Sequence, residues 1–156
     1  VQQERGGCVV ALMEVPADQV NLYGCAAIEG EPDADGVVKV TGLVEKPDPA
    51  DAPSNLAIIG RYVLDPSIFD VLEDLPPGRG NEIQLTDALQ ERATATGEGA
   101  GVWGVVFRGD RYDTGDRLDY LKAVVRLGRR HGEFGEEFDA WLREYVQGLD
   151  VPTTDA

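Results

Sequence analysis

The stretch Leu43-Val44-Glu45-Lys46-Pro47-Asp48-Pro49, the acidic and proline-rich loop behind it, and Asn55-Leu56-Ala57-Ile58-Ile59-Gly60-Arg61-Tyr62-Val63-Leu64 decide how the chain folds. An apolar run of strand type ends in a Glu-Lys pair. The proline directly behind the pair cannot donate to a hydrogen-bonded ladder, and it biases Lys46 towards an extended backbone. Two opposite charges are thus delivered at a strand end, where open α/β sheets place ligand chemistry.

Working outward from there, residues 8–15 (Cys-Val-Val-Ala-Leu-Met-Glu-Val) form a continuous apolar run of the kind buried in a sheet. A connector over 16–21 leads to a second strand, 22–28, in which Tyr23-Gly24-Cys25 carries a glycine of the sort that marks close approach of a backbone or a ligand. The acidic turn 29–36 then gives a hairpin into 37–44, and 55–64 is a further strand. Asp65-Pro66 is the start signal of a helix whose apolar face is Ile68, Phe69, Leu72 and Leu75. Pro76-Pro77-Gly78-Arg79-Gly80 stops it, and Asn81 caps a second helix over 82–94 with Leu85, Ala88 and Leu89 facing inward.

After a glycine-rich link the pattern predicts a strand over 102–107. A turn ending in Tyr112-Asp113-Thr114-Gly115-Asp116 follows. A helix then runs from Asp116 to about Arg130 with Leu118, Leu121, Val124 and Val125 on its buried side, and a last one covers 135–147 with the stripe Phe138, Trp141, Leu142 and Tyr145. Residues 149–156 read as a flexible tail. The first half is rich in strands and lacks crossover helices, so the chain reads as α/β, the later half of a mixed sheet with a hairpin on one edge. Half a sheet would leave an apolar strand edge exposed and favour association.

With 156 residues, 42% hydrophobic and 28% charged, the chain has the size and composition of one folded domain, 1–148 followed by the tail. A net charge of −15 argues against nucleic acid or a membrane surface as partner, because phosphate polyanions are repelled by the mean field. An anionic substrate therefore needs local cations or a metal. No apolar run reaches the roughly 18 residues of a membrane helix. Cys8 and Cys25 match neither a zinc site nor a disulfide framework, which favours a reducing, cytoplasmic setting. The chain opens on Val1, so either its start was processed or it is the later part of a longer polypeptide.

Glu45-Lys46 taken alone is an exposed ion pair worth about 0–1 kcal/mol. Its chemistry nevertheless suits a ligand with both hydroxyls and phosphate: a carboxylate accepts from vicinal hydroxyls, and an ammonium neutralises phosphate as a point charge. Asp116 is the better helix cap of its pair, which leaves Asp113 as a free turn carboxylate and a reasonable hard ligand for Mg²⁺. Glu82 and Asp87 serve helix electrostatics, His131 is a solvated helix-end residue, and Cys25 is a small core residue. No Ser-His-Asp or Cys-His arrangement, HExxH or Walker loop is present.

Leu43-Val-Glu-Lys-Pro47, Ala52-Pro-Ser-Asn-Leu-Ala-Ile-Ile-Gly-Arg-Tyr-Val-Leu64, Glu82-Ile-Gln-Leu-Thr-Asp-Ala88, Arg111-Tyr-Asp-Thr-Gly-Asp116 and Asp119-Tyr-Leu-Lys-Ala123 together resemble the bacterial UTP–glucose-1-phosphate uridylyltransferases, or UDP-glucose pyrophosphorylases, over almost the whole chain. Glu-Lys-Pro by itself indicates only the wider sugar-nucleotidyltransferase family. The resemblance implies a nucleotide-diphospho-sugar transferase fold, a Rossmann-like mixed sheet whose later half, with C-terminal helices, holds the sugar phosphate. Gly24 and Gly60 would line the sugar pocket, Glu45 would bind glucose hydroxyls, Lys46 would be the catalytic contact to phosphate, and Asp113 would lie near Mg²⁺. UTP and glucose 1-phosphate are the implied substrates. Independently of the resemblance, Trp141 and Tyr145 are large for the surface of a monomer, and they favour a homo-oligomer through the C-terminal helices.

Cys25 and Asn81 depart from the family's pattern, where an aliphatic residue and a glycine are usual. The family's glycine-rich nucleotide loop, and the acidic metal site behind it, are not in this sequence, so the chain alone is expected to be inactive. Two other readings stay open. One is a non-catalytic interaction module built on the last two helices; the other is a transferase for a different sugar or base, such as a thymidylyltransferase.

Overall fold

The computed structural model describes residues 1–97 and 99–149, without the side chain of Arg79. Five strands and their helices occupy one compact unit, Val1–Arg108, and a helical pair occupies a second, Gly109–Ala156. The expected tail lies, beyond Leu149, outside the described residues. Among those described, no helix is long and apolar enough to cross a membrane.

In the first unit a short helix α1 (Gln2–Arg5) precedes β1 (Cys8–Glu14), then β2 (Gly24–Glu29), β3 (Val37–Glu45), β4 (Leu56–Val63), α2 (Ile68–Asp74), α3 (Leu85–Thr94) and β5 (Val102–Val106). The connector before β2 is wound into a 3₁₀ turn over Ala17–Leu22. The sheet is mixed: β1 runs parallel to β5 and antiparallel to β4, and the remaining pairings are antiparallel. It also closes on itself in the order β1-β4-β2-β3-β5, although β2 and β4 are joined only at Cys25 and Ala57. Each strand thus has a neighbour on both sides. The expected exposed edge is corrected: the β2–β3 hairpin swings round to meet β5 through Val37–Val40, consuming the edge a flat half-sheet would leave.

Two irregularities make this closure possible. On β4 the register jumps between Val10 opposite Tyr62 and Leu12 opposite Ile58, so Gly60 sits in a bulge with φ of +73°, a conformation glycine adopts at little cost. Between β2 and β3 a second jump separates Ala27 opposite Gly42 from Ile28 opposite Val40. Val10, Leu12, Val40, Val102, Ile68 and Leu89 are fully buried and form the heart of the core, with α2 and α3 covering one side.

Several sequence boundaries move for physical reasons. Asp65 does accept the N–H and hydroxyl of Ser67, but it does so around a single turn, and α2 proper begins at Ile68. Phe69, expected inside, is exposed; Val71 packs in its stead beside Ile68, Leu72 and Leu75. Asn81 does not cap α3. Together with Gly80 it takes a left-handed backbone, and the helix starts at Leu85 behind an extended Gln84.

In the second unit, α4 (Arg117–Arg129) and α5 (Gly135–Leu149) pack on each other. Asp116 caps α4 as expected, accepting the Asp119 N–H at 2.8 Å. Leu118, Leu121 and Val124, expected on the buried side, are exposed, and only Ala123 is buried on this helix. The two helices approach at Gly128, where the ring of Phe138 lies against the glycine. Arg129 and Arg143 both bind Asp139, and they hold its carboxyl below the usual range.

Candidate functional site

β3 and α3 build the site. Along β3, Leu43 and Glu45 lie two residues apart and so share a face; Leu43 is buried in the core with Ala88 and Leu89 of α3. Glu45 therefore comes off the strand end against the first turn of α3. There the Thr86 hydroxyl donates to Glu45 Oε2 at 2.6 Å. One helical turn on, the Leu43 N–H donates to Gln90 Oε1 at 2.6 Å. Thr86 and Gln90, four apart, lie on one face of α3 and tie it to alternate residues of β3.

Lys46 extends the pairing by one residue, donating its N–H to the Tyr23 carbonyl at 2.9 Å, beyond the Gly24–Glu45 pair. Its ammonium stands 3.8 Å from Glu45 Oε1. Glu45 is mostly sheltered, with 19% of its side chain exposed against 47% for Lys46. The expected extended backbone at Lys46 is corrected, since its φ is +46°. The preference imposed by Pro47 is local; burial of Pro47 and the bond to Tyr23 outweigh it and turn the chain at this residue.

Gly24 is where the site is tightest. A Cβ there would stand 3.0 Å from Glu45 Oε2, 3.2 Å from Ile58 Cδ1 and 3.3 Å from Thr86 Oγ1. Burial pushes the Cys25 thiol and the Tyr62 phenol up, and the Glu45 charge adds to both shifts. Glu45 thus lies among Gly24, Ile58, Tyr62 and Thr86. Gly60 differs from Gly24: a Cβ there would meet open space, and its φ is what demands glycine.

Asp113 belongs to the second unit. It is not the free carboxylate expected: Oδ1 accepts the Gly115 N–H at 3.0 Å, and Oδ2 lies 3.5 Å from Arg111 Nη2. Among the described residues no three His, Cys, Asp or Glu side chains gather to hold a metal. Asp113 could supply one carboxylate to a magnesium ion, and it would do so without a second acidic or imidazole cluster from the described residues. His131 stacks on Phe134 at the helix end, and both cysteines are buried and unpaired.

Thr86 and Tyr62 were missed by the sequence reading, although both stand inside the stretches it singled out. The available signal was a threonine at an inward position of a helix otherwise lined by Leu85, Ala88 and Leu89. A buried hydroxyl needs a partner.

A carboxylate held by a hydroxyl thus stands beside an ammonium at the end of β3, on a mixed sheet with helices on one side. The chain belongs to the nucleotidyl transferase family, whose model matches residues 1–129. Within that family it is similar to the UTP–glucose-1-phosphate uridylyltransferase of Streptococcus pneumoniae serotype 4, with 44% identity over 133 residues, 85% of this chain and 43% of the relative. The Streptococcus pyogenes enzyme of the same name is 40% identical over 147 residues, covering 92% of this chain and 47% of its own length. Among solved structures, a UDP-glucose pyrophosphorylase complexed with UDP-glucose superposes with a TM-score of 0.74 at 38% identity, covering 83% of this chain and 47% of that one. The UTP-bound enzyme from Acinetobacter baumannii gives 0.78 at 34% identity, over 92% of this chain and 47% of its own. The chain thus spans under half the length of these relatives. Nucleotidyltransferases of this family generally use a divalent metal.

Proposed function

We propose that this chain is the sugar-phosphate-binding part of a uridylyltransferase that makes UDP-glucose and pyrophosphate from UTP and glucose 1-phosphate. The observation that carries the reading is the Glu45–Lys46 pair, ordered by Thr86 and Gly24 at the end of β3. In the reaction an anionic phosphate oxygen of glucose 1-phosphate attacks the α-phosphorus of UTP. The new P–O bond forms as the α–β bridge bond breaks, and the electron pair leaves on pyrophosphate. The nucleophile is already deprotonated, so the step needs alignment and charge neutralisation rather than a general base.

Glu45 accepts from glucose hydroxyls, Lys46 neutralises the sugar's phosphate, and Gly24 and Gly60 line the sugar pocket, Gly24 by making room for the Glu45–Thr86 bond and Gly60 by leaving open space. Asp113 offers one carboxylate towards Mg²⁺, and the other ligands would have to come from elsewhere. We place the protein in the cytoplasm, a reading supported by the two unpaired cysteines. A homo-oligomer through the C-terminal helices is supported by the exposed Trp141, Tyr145, Val146 and Leu149 on α5. Light scattering that gives a monomer would remove that assembly.

Calorimetric titration of the 156-residue chain with glucose 1-phosphate tests the core of the reading. Binding that weakens at least about tenfold in Lys46→Ala is the expected result, the size of one charge-assisted contact. Equal binding by both proteins removes Lys46 from the site. Uridylyl transfer is expected only when the chain is combined with the first half of a relative such as the Streptococcus pneumoniae enzyme; transfer by the chain alone would contradict the division of labour.

A further inference from the structure

Among the described residues Thr86 is the one buried polar side chain, with 8% exposure, and it spends its hydroxyl proton on Glu45. We propose that Thr86 is a positioning residue for sugar recognition, one that fixes the Glu45 carboxylate so that Oε1 is presented to the ligand's hydroxyls. The inference rests on the sugar-phosphate reading above and adds to it the group that aims its acceptor.

The two carboxylate oxygens have unequal surroundings. Oε2 accepts a short bond from Thr86 and lies closest to Gly24, so it is spoken for. Oε1 has the Lys46 ammonium at 3.8 Å, beyond a good hydrogen bond, and retains acceptor capacity. A glutamate has three rotatable side-chain bonds, and a carboxylate left unanchored at a strand end samples several of them. Thr86 can anchor it because α3 is itself immobilised: Ala88 and Leu89 are fully buried, and Gln90 accepts from the backbone of β3. The acceptor is thereby held ready before the ligand arrives, which reduces the ordering that binding would otherwise have to supply. A threonine that merely joined helix to strand would act on the phosphate half of the ligand and on the sugar half alike. A positioning threonine acts on the sugar half alone, because Lys46 holds the phosphate.

The test titrates the chain with two probes, glucose 1-phosphate and inorganic phosphate. Thr86→Val keeps the shape and removes the donor; it should weaken glucose 1-phosphate about tenfold and leave phosphate affinity within about twofold. Thr86→Ser restores the donor and should return glucose 1-phosphate to within about threefold of the parent. If valine prevents folding, Thr86→Ala takes its place with the same expectation. Unchanged glucose 1-phosphate affinity, an equal loss for both probes, or a serine variant as weak as valine overturns the proposal. If the parent chain binds phosphate but gains nothing from the sugar, the sugar-phosphate reading falls and Thr86 falls with it. A parent that prefers glucose 1-phosphate while the variants do not follow the pattern sinks the Thr86 proposal alone.

Discussion

Gly24→Ala is the perturbation whose effect the structure fixes most closely. The added methyl would stand 3.0 Å from Glu45 Oε2, 3.2 Å from Ile58 Cδ1 and 3.3 Å from Thr86 Oγ1. All three fall short of the roughly 3.5 Å at which such atoms rest, by about 0.2–0.5 Å. None can simply swing away, because Ile58 and Thr86 are buried and Glu45 is bonded to Thr86. Overpacking of this kind costs about 1–3 kcal/mol. The same substitution restricts the unfolded chain, which returns about 0.4–1 kcal/mol because the backbone at Gly24 is not left-handed. A net loss of about 0.5–2 kcal/mol follows. In urea titration monitored by Trp fluorescence the midpoint should fall by on the order of half a molar. Because the crowding displaces the carboxylate itself, glucose 1-phosphate affinity should fall at least about fivefold as well. In Gly24→Ala/Thr86→Ala the stability losses should sum to less than the two singles, since the second change removes one of the three clashing atoms. An unchanged midpoint together with unchanged affinity would refute the packing argument.

Lys46→Gly should be more stable than Lys46→Ala by about 0.5–1 kcal/mol in the same titration, because φ is +46° there; an alanine variant at least as stable would mean that the turn is not strained. Gly7→Ala should lower the thermal midpoint by several degrees, since its Cβ would come within 2.6 Å of the Ala100 carbonyl oxygen at a φ of +67°, and a native-like melt would contradict this. Burial raises the pKa values of Cys8, Cys25 and Tyr62 above their ordinary values, so the unfolded chain releases these protons first. Stability is then full below about pH 8.5 and declines as pH rises towards the folded values, a decline that Cys8→Ala/Cys25→Ala should soften; stability that climbs between pH 8.5 and 10.5 would reverse the sign of the argument. Raising salt should leave glucose 1-phosphate affinity steady or improve it, because a chain of net charge −15 repels the anion at long range while Lys46 acts at contact; a steep loss with salt would point to a larger basic site.

Strands were more legible than the way they join. Each apolar run became a strand with ends shifted by one or two residues, and the hairpin between residues 24 and 45 formed as its turn residues demanded. Closure was not legible, because it depends on Gly60 in its bulge and on the irregular register near Gly42, neither of which alters the hydrophobic pattern. Helix faces failed in the second unit for a related reason. Periodicity marks an apolar stripe, but it does not mark where a neighbour meets it; α5 comes close at Gly128, whose hydrophobic signal is weak.

The site shows the same division more sharply. Glu45 and Lys46 are visible in sequence because a charged pair before a proline interrupts an apolar run. What makes the pair specific is not local: Gly24, Ile58 and Thr86 come from three other elements, and each is an ordinary residue in its own segment. Gly24 could be read as space for a ligand, yet the structure gives that space first to the protein's own Glu45–Thr86 bond. Asp113 errs in the opposite sense. Relieved of capping by Asp116 it looked free, but a turn aspartate two residues before a glycine bonds the Gly115 N–H, and Arg111 lies beside its other oxygen. A motif thus locates the charges. The partners that decide which oxygen of each carboxylate is still available are set by tertiary contacts at Glu45 and by turn geometry at Asp113.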